Sequence, residues 1–289
     1  MRALRAKGTG MKNMLNAKTA IGAALAGSFL LGALAVGYSA AQQKNEDAPK
    51  ASSSHAQLNT SFSDTQEEEI GEIVRAYLMD NPEVIIEAVE AYRLKMQMAE
   101  SDRAKTAATQ NMALLLDPAT SHVAGKNPDE ATVAVIEMYD YHCGYCKRAA
   151  PLIKDVLKND AEVKVVFREL PILREESAYA AEMALAARDN EKFVDFHFDM
   201  LDSSGVLTKE RVDKMARKHG LDVAAMNKAI ESGAIPSMID ANHLLAQEMG
   251  VDGTPAFIVA STDGAYVEIM MGWSEERLKE MIKEAKNAS

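Results

Sequence analysis

The only two cysteines among the 289 residues form a C-x-x-C pair in Tyr139-Asp140-Tyr141-His142-Cys143-Gly144-Tyr145-Cys146-Lys147-Arg148. Two thiols at that spacing can pass two electrons: one thiolate attacks a disulfide, and the other displaces the product from the mixed disulfide. The same pair can also serve haem or a metal, so the neighbouring residues must decide. Haem attachment needs a histidine directly after the second cysteine, where Lys147 stands. Zinc needs two further ligands, and His55, His122, His142, His197, His219 and His243 show no ligand spacing. No metal site and no cofactor are therefore assigned. Two soft thiolates still suit copper(I), and that alternative stays open. The loop closed by this pair is too small for loop-closure entropy to stabilise the chain, so stability must come from a core.

Strand-like and helix-like runs flank the pair. Thr132 to Tyr139 is β-rich and mostly apolar, as a buried central strand should be. Cys146 to Asn159 carries a helical stripe (Ala149, Ile153, Val156, Leu157) with Pro151 inside it. Glu162 to Leu170 is the next buried strand, so strand, helix and strand predict a right-handed crossover and a parallel pair. Ser121 to Gly125 reads as a short edge strand. Ser177 to Met249 is almost wholly helical, with Thr208 and Asp222 at N-cap positions. Ala256–Ala260 and Ala265–Met271 form a hairpin around Asp263-Gly264, and Ser274 caps a final helix. The seventeen methionines read mainly as core filling.

Upstream, Ser63 and Gln66 have capping-box spacing before an apolar stripe of Ile70, Ile73, Val74, Tyr77 and Leu78. Asn81-Pro82-Glu83 predicts a stop and a new start, with Asn81 as the N-cap. Ile85, Val89, Tyr92, Met96 and Ala99 then follow the alternating steps of a coiled-coil seam, which turns polar at Arg103, Thr106 and Gln110. We read residues 62–116 as a helical oligomerisation arm with a linker helix, giving a homo-oligomer, dimer or trimer. Residues 42–61 are polar and form a flexible linker. Residues 1–41 combine a basic start, the apolar stretch Ala20 to Val36, and small residues at Ser39 and Ala41. That is a signal peptide, or an N-terminal membrane anchor if it is retained. Either reading places the body outside the cytoplasm, where disulfides form.

This order of elements, with C-x-x-C opening the first crossover helix, resembles the thioredoxin fold of the DsbA-type disulfide oxidoreductases. Glu137-Met138-Tyr139-Asp140-Tyr141-His142-Cys143 is like that family's strand end, with an acid before the first cysteine. Gly253-Thr254-Pro255-Ala256-Phe257 resembles its cis-proline loop, and the intervening helices resemble its inserted domain. The resemblance covers Pro118 to Ala288. Glu69 to Tyr92 is similar to the N-terminal segment of the ScsC subgroup, whose members are exported and include oligomeric disulfide isomerases. The implied architecture is α/β: a thioredoxin fold over 118–289 with an all-helical insertion at about 174–249, preceded by the helical arm.

The resemblance implies roles that the chemistry supports. Cys143, at a helix N-terminus, is the nucleophile, and Cys146, inside the first turn, resolves the mixed disulfide. Glu137 accepts the Cys146 proton. Thr254 and a cis Pro255 present backbone to an extended substrate, beside Gly144, Tyr145 and His142. Gly144 is expected to permit a tight turn and His142 to lend positive character, with Asp140 and Lys147 as solvated rim contacts. The formal net charge of −11 argues against nucleic acid as a partner. Three functions follow in order: a disulfide isomerase or reductase acting on reduced or misfolded exported proteins with a membrane redox partner; a DsbA-like dithiol oxidase; or a non-enzymatic copper(I)-binding or chaperone protein.

Overall fold

Burial of strand β2, Val133–Tyr139, explains most of the architecture, since every one of its residues is inaccessible to solvent. The computed structural model describes residues 62–289, so the expected export segment and flexible linker lie outside the described residues. The chain divides into two units, Met1–Ile70 and Gly71–Ser289. In the first, the opening of helix α1 (Asp64–Asp80) has the expected capping box. The Gln66 amide donates to Ser63 Oγ, and the Ser63 amide donates to Gln66 Oε1 at 2.9 Å.

In the second unit, β1 (His122–Gly125), β2, β3 (Val163–Glu169), β4 (Ala256–Ser261) and β5 (Val267–Met271) form one sheet in the order β1-β3-β2-β4-β5. The β2–β3 pair is parallel and the other pairs are antiparallel. Helix α4 (Gly144–Asn159) makes the crossover between the parallel strands. Side chains alternate along β2. Val133, Val135 and Tyr139 enter a core with Cys143, Cys146 and α4, while Ala134, Ile136 and Met138 enter a second core on the other face. The same period turns Glu137 toward the sulfur-bearing layer.

Five helices occupy the stretch between β3 and β4: α5 (Glu175–Ala186), α6 (Phe193–Asp202), α7 (Lys209–Lys218), α8 (Val223–Glu231) and α9 (Ala234–Glu248). Thr208 and Asp222 cap α7 and α8 as expected, their side chains accepting Arg211 and Ala224 amides. Helix α10 (Glu275–Ala288), capped by Ser274, closes the layer that holds α4.

Helix α2 (Glu83–Gln110) departs from its sequence pattern at both ends. Asn81 does not cap it. Its side-chain amide instead donates to the Tyr77 carbonyl at 2.9 Å, closing the end of α1. The last turns, expected to be polar, bury Ala104 and Ala108. Ala108 joins the second core, and Lys105 pairs with Glu268 of β5 at 2.5 Å. Small side chains let this half of the helix approach the sheet, whereas Ile85, Ile86, Val89 and Tyr92 in the first half stay exposed.

Arg168 is almost fully buried at the end of β3. Its guanidinium donates to the Leu115 carbonyl (3.1 Å), to the Leu114 carbonyl, to Thr120 Oγ1 (3.0 Å) and to Asn242 Oδ1 (3.0 Å). It thereby satisfies the open carbonyls of the short helix α3 (Met112–Leu115) and joins that helix to α9. Replacing Arg168 with methionine keeps the apolar stem but orphans these buried acceptors. We expect a loss of about 3 kcal/mol in urea unfolding, and an unchanged midpoint would contradict this role.

Candidate active site

Cys143 is the N-cap of α4, in extended conformation, with its amide donating to the Asp140 carbonyl at 2.9 Å. The α4 amides that follow have no intrahelical acceptor and point toward its sulfur. The Cys143 thiol is pulled down to about 5. The main cause is a hydrogen bond from the Cys146 thiol, which outweighs the opposing effect of burial. Thr254 and the Cys146 and Tyr145 amides add to it. Cys146 moves the other way. It is fully buried, and burial, its bond to Cys143 and the charge of Glu137 all raise its thiol. The two sulfurs are thus a ready anion and a shielded acid.

The peptide bond between Thr254 and Pro255 is cis, and the Thr254 carbonyl lies 3.0 Å from Cys143 Sγ. The loop leads directly into β4, which pairs with β2, so two distant stretches of sequence meet at the first cysteine. Glu137 is buried, with Oε1 lacking a hydrogen-bond partner among the described residues. Burial first, then the nearby charge of Cys143, raises its carboxyl to about 8. At neutral pH it therefore holds its proton while Cys143 is a thiolate.

Four expectations at the site need correction, those for Asp140, Lys147, His142 and Gly144. Asp140 is no rim contact: it is buried and accepts from the His142 amide (2.7 Å), Ser177 Oγ (2.8 Å), and the Ile172 and Leu173 amides (2.9 and 3.0 Å). Lys147 is half-buried and donates to the Ser203 carbonyl at 2.5 Å; burial lowers its ammonium below the usual value. His142 carries no positive charge to Cys143. Its Nε2 accepts from the Leu207 amide at 3.0 Å, so that nitrogen is unprotonated. Its Nδ1 donates to Ser177 Oγ at 2.9 Å, and burial lowers its titration.

Gly144 lies in the first turn of α4 with no left-handed backbone. A Cβ there would meet only the Arg148 guanidinium, at an ordinary 3.9 Å, so the tight turn expected of it is not what the glycine provides. Tyr145 is exposed, with the Arg148 guanidinium 3.9 Å above its ring.

Sequence reasoning missed a polar cluster beneath the loop. Tyr139 Oη donates to the buried Glu169 at 2.8 Å and lies 3.1 Å from Tyr141 Oη, which is 2.9 Å from His197 Nδ1. Burial raises the Glu169 carboxyl to about 7. The signal available was an acid ending an apolar strand with two tyrosines nearby, but their partners come from separate elements.

Comparison with known proteins agrees with this geometry. The family model for the DSBA-like thioredoxin domain matches residues 134–285, and that for the copper resistance protein ScsC N-terminal domain matches 66–99. BcfH of Salmonella enterica Typhimurium is 29% identical, with a TM-score of 0.66 over 77% of this chain and 96% of that one. The thiol-disulfide exchange protein alpha-DsbA2 of Wolbachia pipientis is 30% identical, with a TM-score of 0.56 over 64% of this chain and 97% of its own. A linker-deleted ScsC of Proteus mirabilis is 22% identical (TM-score 0.55; 80% and 100% coverage) and shares the fold. Among curated proteins, the thiol:disulfide interchange protein DsbA of Bordetella parapertussis is 26% identical over 133 residues, 44% of this chain and 63% of that protein. A Na(+)/H(+) antiporter NhaA 3 of Salinispora tropica is 29% identical over 179 residues, 58% of this chain, which spans only 26% of its length. A C-x-x-C pair at the mouth of a crossover helix, a cis-proline loop against it and a family model matching more than half the chain lead to one conclusion: the chain belongs to the DsbA-like thioredoxin-domain family.

Proposed function

We propose that the protein is an exported thiol–disulfide oxidoreductase that works as a homo-oligomer to isomerise or reduce wrong disulfides in exported proteins. The observation that carries the chemistry is the pairing of a lowered Cys143 thiol with a buried Cys146 beside the Thr254 backbone. The Cys143 thiolate attacks a client disulfide; a bond forms from Cys143 to one client sulfur, and the other leaves as a thiolate. In isomerisation a client thiolate attacks the mixed disulfide and frees Cys143 with no net electron transfer. In reduction Cys146 gives its proton to Glu137 and attacks Cys143. The Cys143–Cys146 disulfide forms and the client departs with two electrons more.

Glu137 suits that step because its state follows the cycle. Once the Cys143 charge is consumed in the mixed disulfide, one of the two causes raising Glu137 disappears, and its carboxyl can ionise and accept a proton. Thr254 and Pro255 would carry the client strand, with Gly144, Tyr145 and His142 lining its path. A lowered nucleophile is also a good leaving group, which favours the second reading, a dithiol oxidase. Oxidised Cys143 in the native compartment would select it, and reduced Cys143 the first.

Oligomerisation is supported by the exposed apolar side chains Ile73, Val74, Tyr77, Ile85, Ile86, Val89 and Tyr92, more than a lone arm leaves in water. Export to the periplasm is supported by the composition of residues 1–41, removed or kept as an anchor. Among the described residues no helix is long and apolar enough to cross a membrane. A membrane redox partner would restore the working state of the cysteines.

Alkylation of Cys143 should rise as pH climbs through about 5 and be level by neutrality, since the folded thiol titrates there; a midpoint near 8.5, the ordinary thiol value, would contradict the assignment. Glu137→Gln should leave the first attack intact and slow resolution about 100-fold in quenched-flow assays, and equal resolution rates would remove its role. Glutamate at Ile85, Val89 and Tyr92 together should yield monomers by sedimentation and depress isomerisation of scrambled ribonuclease several-fold. Full isomerase activity in that monomer would sink the oligomeric reading.

A further inference from the structure

The thiol–disulfide reading uses the two sulfurs, Glu137 and the cis-proline loop, but not the best-satisfied buried charge in the site. Asp140 follows β2 directly, and both its backbone and its side chain are engaged. Its carbonyl accepts the Cys143 amide at 2.9 Å, and its own amide points to the Cys146 sulfur. Its carboxylate gathers four donors from three places. The His142 amide belongs to the cysteine loop, the Ile172 and Leu173 amides to the β3–α5 connection, and Ser177 Oγ to α5.

A second chain of bonds continues from it. Ser177 donates to Asp140 Oδ1 and accepts from His142 Nδ1, while His142 Nε2 accepts the Leu207 amide. Leu207 lies in the connection between α6 and α7. The cysteine loop is therefore fastened to the helical stretch at two separate points, and Asp140 is the hub of both. Hydrogen bonds to a carboxylate are about twice as strong as neutral ones, and fixed donors lose no freedom when charge develops.

We propose that Asp140 is a positioning residue of the thiol–disulfide centre, holding the loop so that the α4 amides and the Cys146 thiol converge on the Cys143 sulfur. This rests on the oxidoreductase reading. Only the dithiol form has a sulfur anion for that convergence to stabilise. Loosening the loop therefore costs the dithiol form more than the disulfide form.

The test is the equilibrium of the full-length protein with reduced and oxidised glutathione, set beside thermal unfolding. Asp140→Asn keeps the shape but turns an NH2 toward donors, so the equilibrium should move toward the Cys143–Cys146 disulfide by about tenfold, the worth of one charge-assisted bond. Ser177→Ala removes one of the four donors to the carboxylate together with the link to His142, but leaves the charge and its three amide donors, and should move it less, in the same direction. It also keeps the test decisive if Asp140→Asn does not fold. An unchanged equilibrium with a lowered melting temperature would make Asp140 merely structural. A shift toward the dithiol would mean that its charge, not its bonds, acts on the thiolate. Either result overturns the proposal. Failure of the unaltered protein to exchange with glutathione at all would overturn the oxidoreductase reading together with it.

Discussion

A sulfur anion at the first turn of α4 is the interaction on which the rest of this structure depends. Burial alone would keep Cys143 protonated. Open helix amides, one neighbouring thiol and the Thr254 side chain reverse that balance, and each requires its own support. The helix must begin at Gly144, Cys146 must sit inside the core, and a loop more than a hundred residues downstream must return to the same sulfur. Strand β2 provides the common reference, since it pairs with β3 on one side and β4 on the other.

Polar groups are also buried around this site. Glu137, Asp140 and Glu169 lie on or just beyond the ends of the two central strands, where apolar residues would pack at lower cost. Asp140 is satisfied by four donors and stays in place through them. Glu137 has one oxygen without a partner among the described residues, and burial, then the charge of Cys143, raises its carboxyl. One acid is fixed by hydrogen bonds and the other is a raised carboxyl with an open oxygen, a difference set by surroundings rather than by residue type.

Periodicity and local chemistry made the framework legible. The apolar runs of β2 and β3, the Ser63–Gln66 box, the Thr208, Asp222 and Ser274 caps and the Asp263-Gly264 turn all act within a few residues, so the sequence displays them directly. The cysteine pair with Glu137 and Thr254-Pro255 was legible through its resemblance to a family. Asp140, Arg168 and His142 were misread or missed because most of the groups that define them lie 32 to 74 residues away in the chain. Burial of Ala104 and Ala108 was hidden because alanine fits a helix surface and a close helix–sheet contact equally well.

Trapping the covalent intermediate tests the central claim most directly. With Cys146→Ala, incubation with a disulfide-bonded peptide and intact-mass spectrometry should reveal a lasting mixed disulfide mapped to Cys143. The reciprocal Cys143→Ala protein should remain unmodified, its Cys146 thiol buried and protonated. Equal trapping on both cysteines, or none on Cys143, would contradict a centre built around one activated sulfur.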